Sequence, residues 1–173
     1  DGPAIVWDAR SNYGGFTPVG LEIVGGMPGA QTMPISSCRA RIEGSSPPAF
    51  STFTYAEYAV TAGGAFAYSG KVAVLIDGLD YSAADYFPYA ITQAAVDTLL
   101  VGTPTAGAYG GSGPQLAIDG PPSMFATIDP SRCADANEVP LEGHAVAPQL
   151  VVEYEPDDLA AGVDTVMEAA VSA

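Results

Sequence analysis

Positive charge is scarce in this chain. Only 5 Lys+Arg stand against 20 Asp+Glu in 173 residues, a formal charge of -15 at pH 7. Phosphate backbones and anionic lipid surfaces are bound by cations, so nucleic acid is excluded as a partner and attraction to a membrane surface is absent. No apolar run approaches the ~18 residues of a membrane span, so no membrane insertion is expected, and the opening residues from Asp1 to Asp8 carry neither a basic n-region nor a cleavage site. Cys38 and Cys133 are the only cysteines and lack CxxC or CxxH spacing, which leaves a metal site without support. A disulfide between them stays open at this level. Lys71 is the only lysine and His144 the only histidine, so few side chains could serve as a general base.

Hydrophobic residues make up 48% of the chain and charged ones 14%, enough apolar surface for a packed core and against disorder. One globular domain over residues 1–173 is expected. An acidic surface with two cysteines fits an exported protein, so an extracellular or periplasmic location is the expectation. An interior strand that opens at Ala4 is also what a fragment or a processed chain would show.

Hydrophobic periodicity alternates between strand and helix. Residues 4–8 read as a buried strand, residues 10–15 as a glycine turn, and residues 16–24 as a helix stopped by Gly25 and Gly26. The same order recurs at 71–77, a β-branched buried strand, then a turn to Ser82, then a helix from Ala83 to about Leu99. Between them, residues 27–70 are punctuated by Pro34, Pro47 and Pro48. They read as an insertion or flap with a strand at 38–42 and a Tyr/Phe-rich piece at 50–60. A strand at 100–102, a glycine-rich loop over 105–113, a hairpin of 115–118 with 123–128, a strand at 150–154 and a last helix at 157–170 complete the pattern. This alternation indicates an α/β fold with a largely parallel sheet.

Ser82 is the first chemical candidate, because it leaves a buried strand by one short turn and opens a helix whose free N–H groups could stabilise an oxyanion. The competing reading is a capping box, with Ser82 accepting from the helix and Asp85 reaching back. Gly14 and Gly15 form a second candidate, since glycines at a strand-to-helix turn let backbone N–H groups approach a ligand closely. Residues 105–113 match neither GxxxxGK[ST] nor a dinucleotide fingerprint, so nucleotide binding is not expected. Lys71 begins the strand that Ser82 follows, and about six residues at roughly 3.3 Å each place it some 20 Å away, too far for a base. His144 sits two residues after Glu142, on the same face if that segment is extended. It is the remaining candidate base, or else an exposed bystander.

With these pieces in order, the chain resembles the C-terminal processing peptidases, the tail-specific, S41-type family of serine peptidases. The carriers are Asp8-x-Arg10-x-Asn12-x-Gly14-Gly15, similar to a DxRxNxGG turn; Ser82-Ala-Ala-Asp85, similar to an SAxE nucleophile turn; and Thr105-Ala-Gly107. Glu142-Gly-His-Ala-Val-Ala-Pro148 is similar to an EGxGVxPD strand, and the helix after it to the family's closing helix. The resemblance implies a ClpP/crotonase-like spiral of ββα units. It implies Ser82 as acylated nucleophile, with the oxyanion held by the amide of Ala83 and an amide of Gly14 or Gly15.

Two mechanisms occur among relatives. In the Ser-Lys dyad the lysine follows the Thr-x-Gly step, where this chain has Ala108, so the dyad is absent. In the Ser-His-Glu triad of the tricorn-like branch the glutamate corresponds to Glu142, and the histidine lies upstream of the DxRxNxGG strand. Three explanations stay open: an N-terminal segment or separate chain of the same protein supplies the histidine, His144 has taken over, or the chain is an inactive descendant. The abrupt start favours the first. The reading is therefore the C-terminal portion of a serine endopeptidase domain acting on peptide or protein substrates, weak or inactive alone, with no cofactor. Its rivals are a non-catalytic peptide-binding or scaffolding relative, and an acyl-CoA enzyme, whose phosphates would need more cations than this chain offers.

Overall fold

The computed structural model describes residues 4–52, 54, 56–63, 67–110, 115–117, 125–127 and 131–173. Its central layer is a four-stranded sheet in the order β1 (Ile5–Asp8), β4 (Val72–Ile76), β5 (Leu99–Gly102), β9 (Leu150–Val151). Every pairing in it is parallel, with Trp7 beside Val74 and Val74 beside Leu100. All five residues of β4 are buried, and their side chains alternate between two apolar layers. On one face Val72, Val74 and Ile76 pack with Leu21 and Val24 of α1 (Thr17–Gly25) and with Phe87, Ala90 and Ile91 of α2 (Ala83–Ala94). On the other, Ala73, Leu75 and Val101 pack with Val166 and Ala170 of α4 (Thr165–Ser172). The protein is an α/β fold with helices on both faces of a parallel sheet.

Residues 27–70 contribute β2 (Met33–Ala40) and β3 (Ala56–Val60), which join β8 (Ser131–Ala134) in an antiparallel sheet of order β3-β2-β8. Cys38 lies directly opposite Cys133 in it, with Cα atoms 4.0 Å apart, and the two form a disulfide. A third sheet pairs β6 (Gln115–Ala117) with β7 (Phe125–Thr127), the expected hairpin; its turn lies outside the described residues.

Several boundaries differ from expectation, beginning with the strand read at 38–42, which runs over Met33–Ala40. Helix α2 ends at Ala94, five residues early, because Leu99 is drawn into register with Ala73 and the chain must turn between them. The last helix is two: α3 (Pro156–Ala160) stops before Gly162, whose φ of +78° breaks the helix, and α4 restarts behind Asp164, which caps it by accepting from the Met167 amide. The strand expected over 150–154 is limited to Leu150–Val151.

Arg10 locks β1 to α4. Its guanidinium donates to both oxygens of Asp164, at 2.9 and 2.7 Å, and to both of Asp8, at 2.8 and 2.6 Å. These bonds hold the Asp8 carboxyl below the usual range and lower that of Asp164 to about 2. A carboxylate with a lowered native pKa stabilises the fold above its unfolded pKa, and that contribution is lost as pH falls through the native value. Replacing Arg10 with Met is expected to cost about 1–3 kcal/mol at neutral pH, discounted because both partners are partly exposed. It should also flatten the fall in melting temperature between pH 4 and pH 2. An unchanged acid limb by calorimetry would reject this role.

Candidate active site

The two candidate turns meet. Ser82 leaves β4 through residues 77–81 and stands at the N-cap of α2 with φ +61° and ψ -124°, a backbone region that side-chain-bearing residues rarely adopt. Gly14, with φ +86°, is pressed against it. A Cβ added at Gly14 would lie 2.7 Å from Ser82 Cβ, 2.7 Å from the Tyr81 carbonyl oxygen and 2.9 Å from the Ala83 nitrogen. Only glycine permits both that dihedral and that approach. The Tyr81 amide donates to the Asn12 carbonyl at 3.2 Å, which joins the two turns through their backbones.

The capping-box alternative does not hold. No hydrogen bond from the Ser82 side chain caps α2, and Asp85 turns elsewhere, accepting from the amides of Gly107 and Ala108 at 3.1 and 2.7 Å. The Ser82 amide donates to the Ala108 carbonyl at 2.7 Å. The position matching the dyad lysine is thus beside Ser82 and bears a methyl group. A strained serine at a strand-to-helix turn with no capping role has the local geometry of a nucleophile elbow.

The amide of Gly14 is occupied, donating to Asn12 Oδ1 at 2.9 Å. Among the described residues, the amides of Gly15 and Ala83 have no partner. Both line a cavity of about 310 Å³ whose walls include Trp7, Phe16, Val19 and Phe87, and the Trp7 and Phe87 rings stand 5.9 Å apart. A chamber of that composition suits an apolar group beside two free N–H donors.

Glu142 also reaches this region, its Oε2 accepting from the Tyr109 amide at 2.9 Å, one residue beyond Ala108. His144 does not join it. Residues 141–144 form a turn, with Gly143 at φ +84° and the His144 amide donating to Leu141, so the extended segment that would put positions 142 and 144 on one face is not formed. His144 is exposed, and among the described residues no hydrogen bond links its imidazole to Ser82 or Glu142. Lys71 lies at the opposite end of β4 from Ser82. No group of three or more His, Cys, Asp or Glu side chains among the described residues could hold a metal ion.

Sequence reasoning missed two buried acids near Ser82, Asp77 and Asp80, and read a third, Asp85, as a capping partner where it anchors residues 107–108. Asp77 accepts from the amides of Ser11 and Leu79 and from the Ser11 hydroxyl. Asp80, fully buried, accepts from the amides of Asn12 and Asp77. The available signal was acids crowded at the end of a buried strand in a chain with almost no basic partners.

Fold and site together define an α/β protein in which a strained serine at a strand-to-helix turn faces a glycine turn. The model for Peptidase family S41 matches residues 1–152, and the chain belongs to that family. No curated protein sequence matches it. Among solved structures, a putative peptidase from Parabacteroides merdae shares 20% identity and a TM-score of 0.68, covering 98% of this chain and 51% of that one. Mature CPAF complexed with lactacystin shares 15% identity and a TM-score of 0.73 over 98% of this chain and 42% of that one. The photosystem II D1 C-terminal processing protease shares 19% and 0.57 over 91% and 37%. Identities this low speak to the fold, and the chain spans about half the length of these structures or less.

Exchanging Gly14 for Ala should force the turns apart, costing about 2 kcal/mol or more from the dihedral and the overlap together. The same change at Gly15, whose added Cβ would meet nothing within 4 Å, bears the dihedral penalty without the overlap. Equal losses for the two variants in urea unfolding would contradict this geometry.

Proposed function

We propose that this chain is the catalytic portion of a serine endopeptidase that cleaves peptide bonds through an acyl-enzyme. The observation that carries the reading is the contact of strained Ser82 with the Gly14 backbone, which gathers a hydroxyl and the free amides of Gly15 and Ala83. Membership of Peptidase family S41 supports it.

In this reading Ser82 Oγ bonds to the substrate carbonyl carbon and its proton passes to a histidine. The oxyanion is held by the amides of Ala83 and Gly15, with Gly14 as the residue of close approach. The C–N bond then breaks, the histidine returns the proton to the leaving amine, and water releases the acyl group by the same route. Glu142 orients the histidine and stabilises its charged form, as in the tricorn-like triad. The histidine comes from a segment or chain outside these 173 residues, a reading supported by the turn at Gly143, which keeps positions 142 and 144 off a shared extended face. The chain alone is weak or inactive in hydrolysis. The cavity beside Gly15 supports an apolar side chain next to the scissile bond. The Cys38–Cys133 disulfide supports an extracellular or periplasmic site of action.

A second reading, a peptide-binding relative without catalysis, is favoured by one observation: the methyl group of Ala108 where a dyad lysine would stand beside Ser82. Fluorophosphonate labelling of the full natural polypeptide separates the two. The peptidase reading expects a label on Ser82 that Ser82→Ala abolishes, and a rate about 10³-fold lower in Glu142→Gln. Well-folded protein that takes no label, yet binds peptides, would establish the binder instead.

A further inference from the structure

We infer that Asp80 is a positioning residue for the Ser82 site: one buried carboxylate ties the turn carrying Gly14 and Gly15 to the turn carrying Ser82 by accepting an amide hydrogen bond from each. The inference rests on the peptidase reading of Ser82. Asp80 Oδ1 accepts from the Asn12 amide at 2.9 Å and Oδ2 from the Asp77 amide at 3.0 Å. Its own backbone amide donates to the Asp77 carbonyl at 3.1 Å, and its carbonyl accepts from Ala106 at 3.0 Å. Asp80 therefore touches all three segments that converge on Ser82, and none of its surface is exposed.

A carboxylate is a costly choice for such a place. Among the described residues the ion pairs are made by Arg10 and Arg39, and none reaches Asp80. The charged groups that face it are Asp77 and Asp85, while residues 12–15 and 105–108 bring no charge at neutral pH. Burial, aided by those two carboxylates, raises its pKa to about 6 against the opposing pull of the two amides. An apolar residue would be cheaper to bury, and asparagine would remove the charge. Neither can replace it, because asparagine offers one acceptor oxygen and would present an NH₂ group to the second amide. The geometry that only a carboxylate satisfies is the bridge between the two turns.

A raised native pKa in an acid means that its ionised form costs global stability above the unfolded pKa, and Asp80→Asn relieves that cost at pH 8 while giving up one acceptor. That sign separates positioning from plain structural support. In Asp80→Asn, exchange of the Asn12 or Asp77 amide should accelerate about tenfold or more while the melting temperature at pH 8 stays level or rises. In the wild type, protection of the same two amides, corrected for intrinsic exchange, should fall severalfold from pH 8 to pH 5, a trend flattened in the variant. Fluorophosphonate labelling of Ser82 in the full natural polypeptide should slow about tenfold or more in Asp80→Asn.

Unchanged exchange at both amides overturns the inference. So does a lower melting temperature with Val74 exchanging as fast as Asn12, which marks general loosening, and so does faster exchange with unaltered labelling. If Asp80→Asn does not fold, the wild-type pH titration decides by itself, flat protection rejecting the bridge. If Ser82 labels in neither protein, the peptidase reading has failed, and the exchange data alone determine whether Asp80 joins the turns.

Discussion

The site depends on a backbone packed against a side chain with no room for a methyl group between them. Gly14 meets Ser82, Tyr81 and Ala83 at distances any Cβ would violate. The contact is made by residues nearly seventy positions apart, at the ends of β1 and β4, which are neighbours in a parallel sheet. Parallel pairing puts the C-terminal ends of adjacent strands on the same edge, so the turns that follow them meet there. The register of Asp8 with Leu75 sets the glycine turn level with the serine turn.

Holding these turns falls to acids rather than to ion pairs. Asp77, Asp80, Asp85 and Glu142 each accept at least one backbone amide from another segment, and together they fix residues 11–12 and 107–109 around Ser82. A chain with 5 basic residues has few cations to place near its carboxylates. Oriented amides replace them, supplying partial positive charge at fixed positions. Arg10 and Arg39 are the exceptions: Arg10 closes β1 onto α4, and Arg39 pairs with Glu138.

Around this centre the second sheet acts as a brace. β8, tied to β2 by the disulfide, leads into the turn that carries Glu142, and the Leu141 amide donates to the Cys133 carbonyl. The long segment between α1 and β4 thereby helps to locate a glutamate more than seventy residues further on. On the opposite side, β1 is an edge strand, with Ile5 and Trp7 partly open to solvent. Solved relatives about twice as long have further chain to place around such a fold.

Local pattern and tertiary structure divided the work along a physical line. The all-apolar run of β4, the paired glycines after β1 and the Ser82 turn at the head of α2 were legible because burial, positive φ and helix initiation act over a few residues. So were the hairpin and the α/β class. The end of α2 and the break at Gly162 were not, since a helix continues or stops according to what its neighbours demand, here the pairing of Leu99 with Ala73. The fates of Ser82 and Asp85, bent serine and loop anchor rather than a reciprocal cap, were decided by Gly14 and by residues 107–108. The separation of His144 from Glu142 was decided by a turn at Gly143, and the burial of Asp80 by segments distant in sequence. Short-range chemistry chose the elements; which groups face one another across them came from packing, because only packing sets distances between residues far apart along the chain.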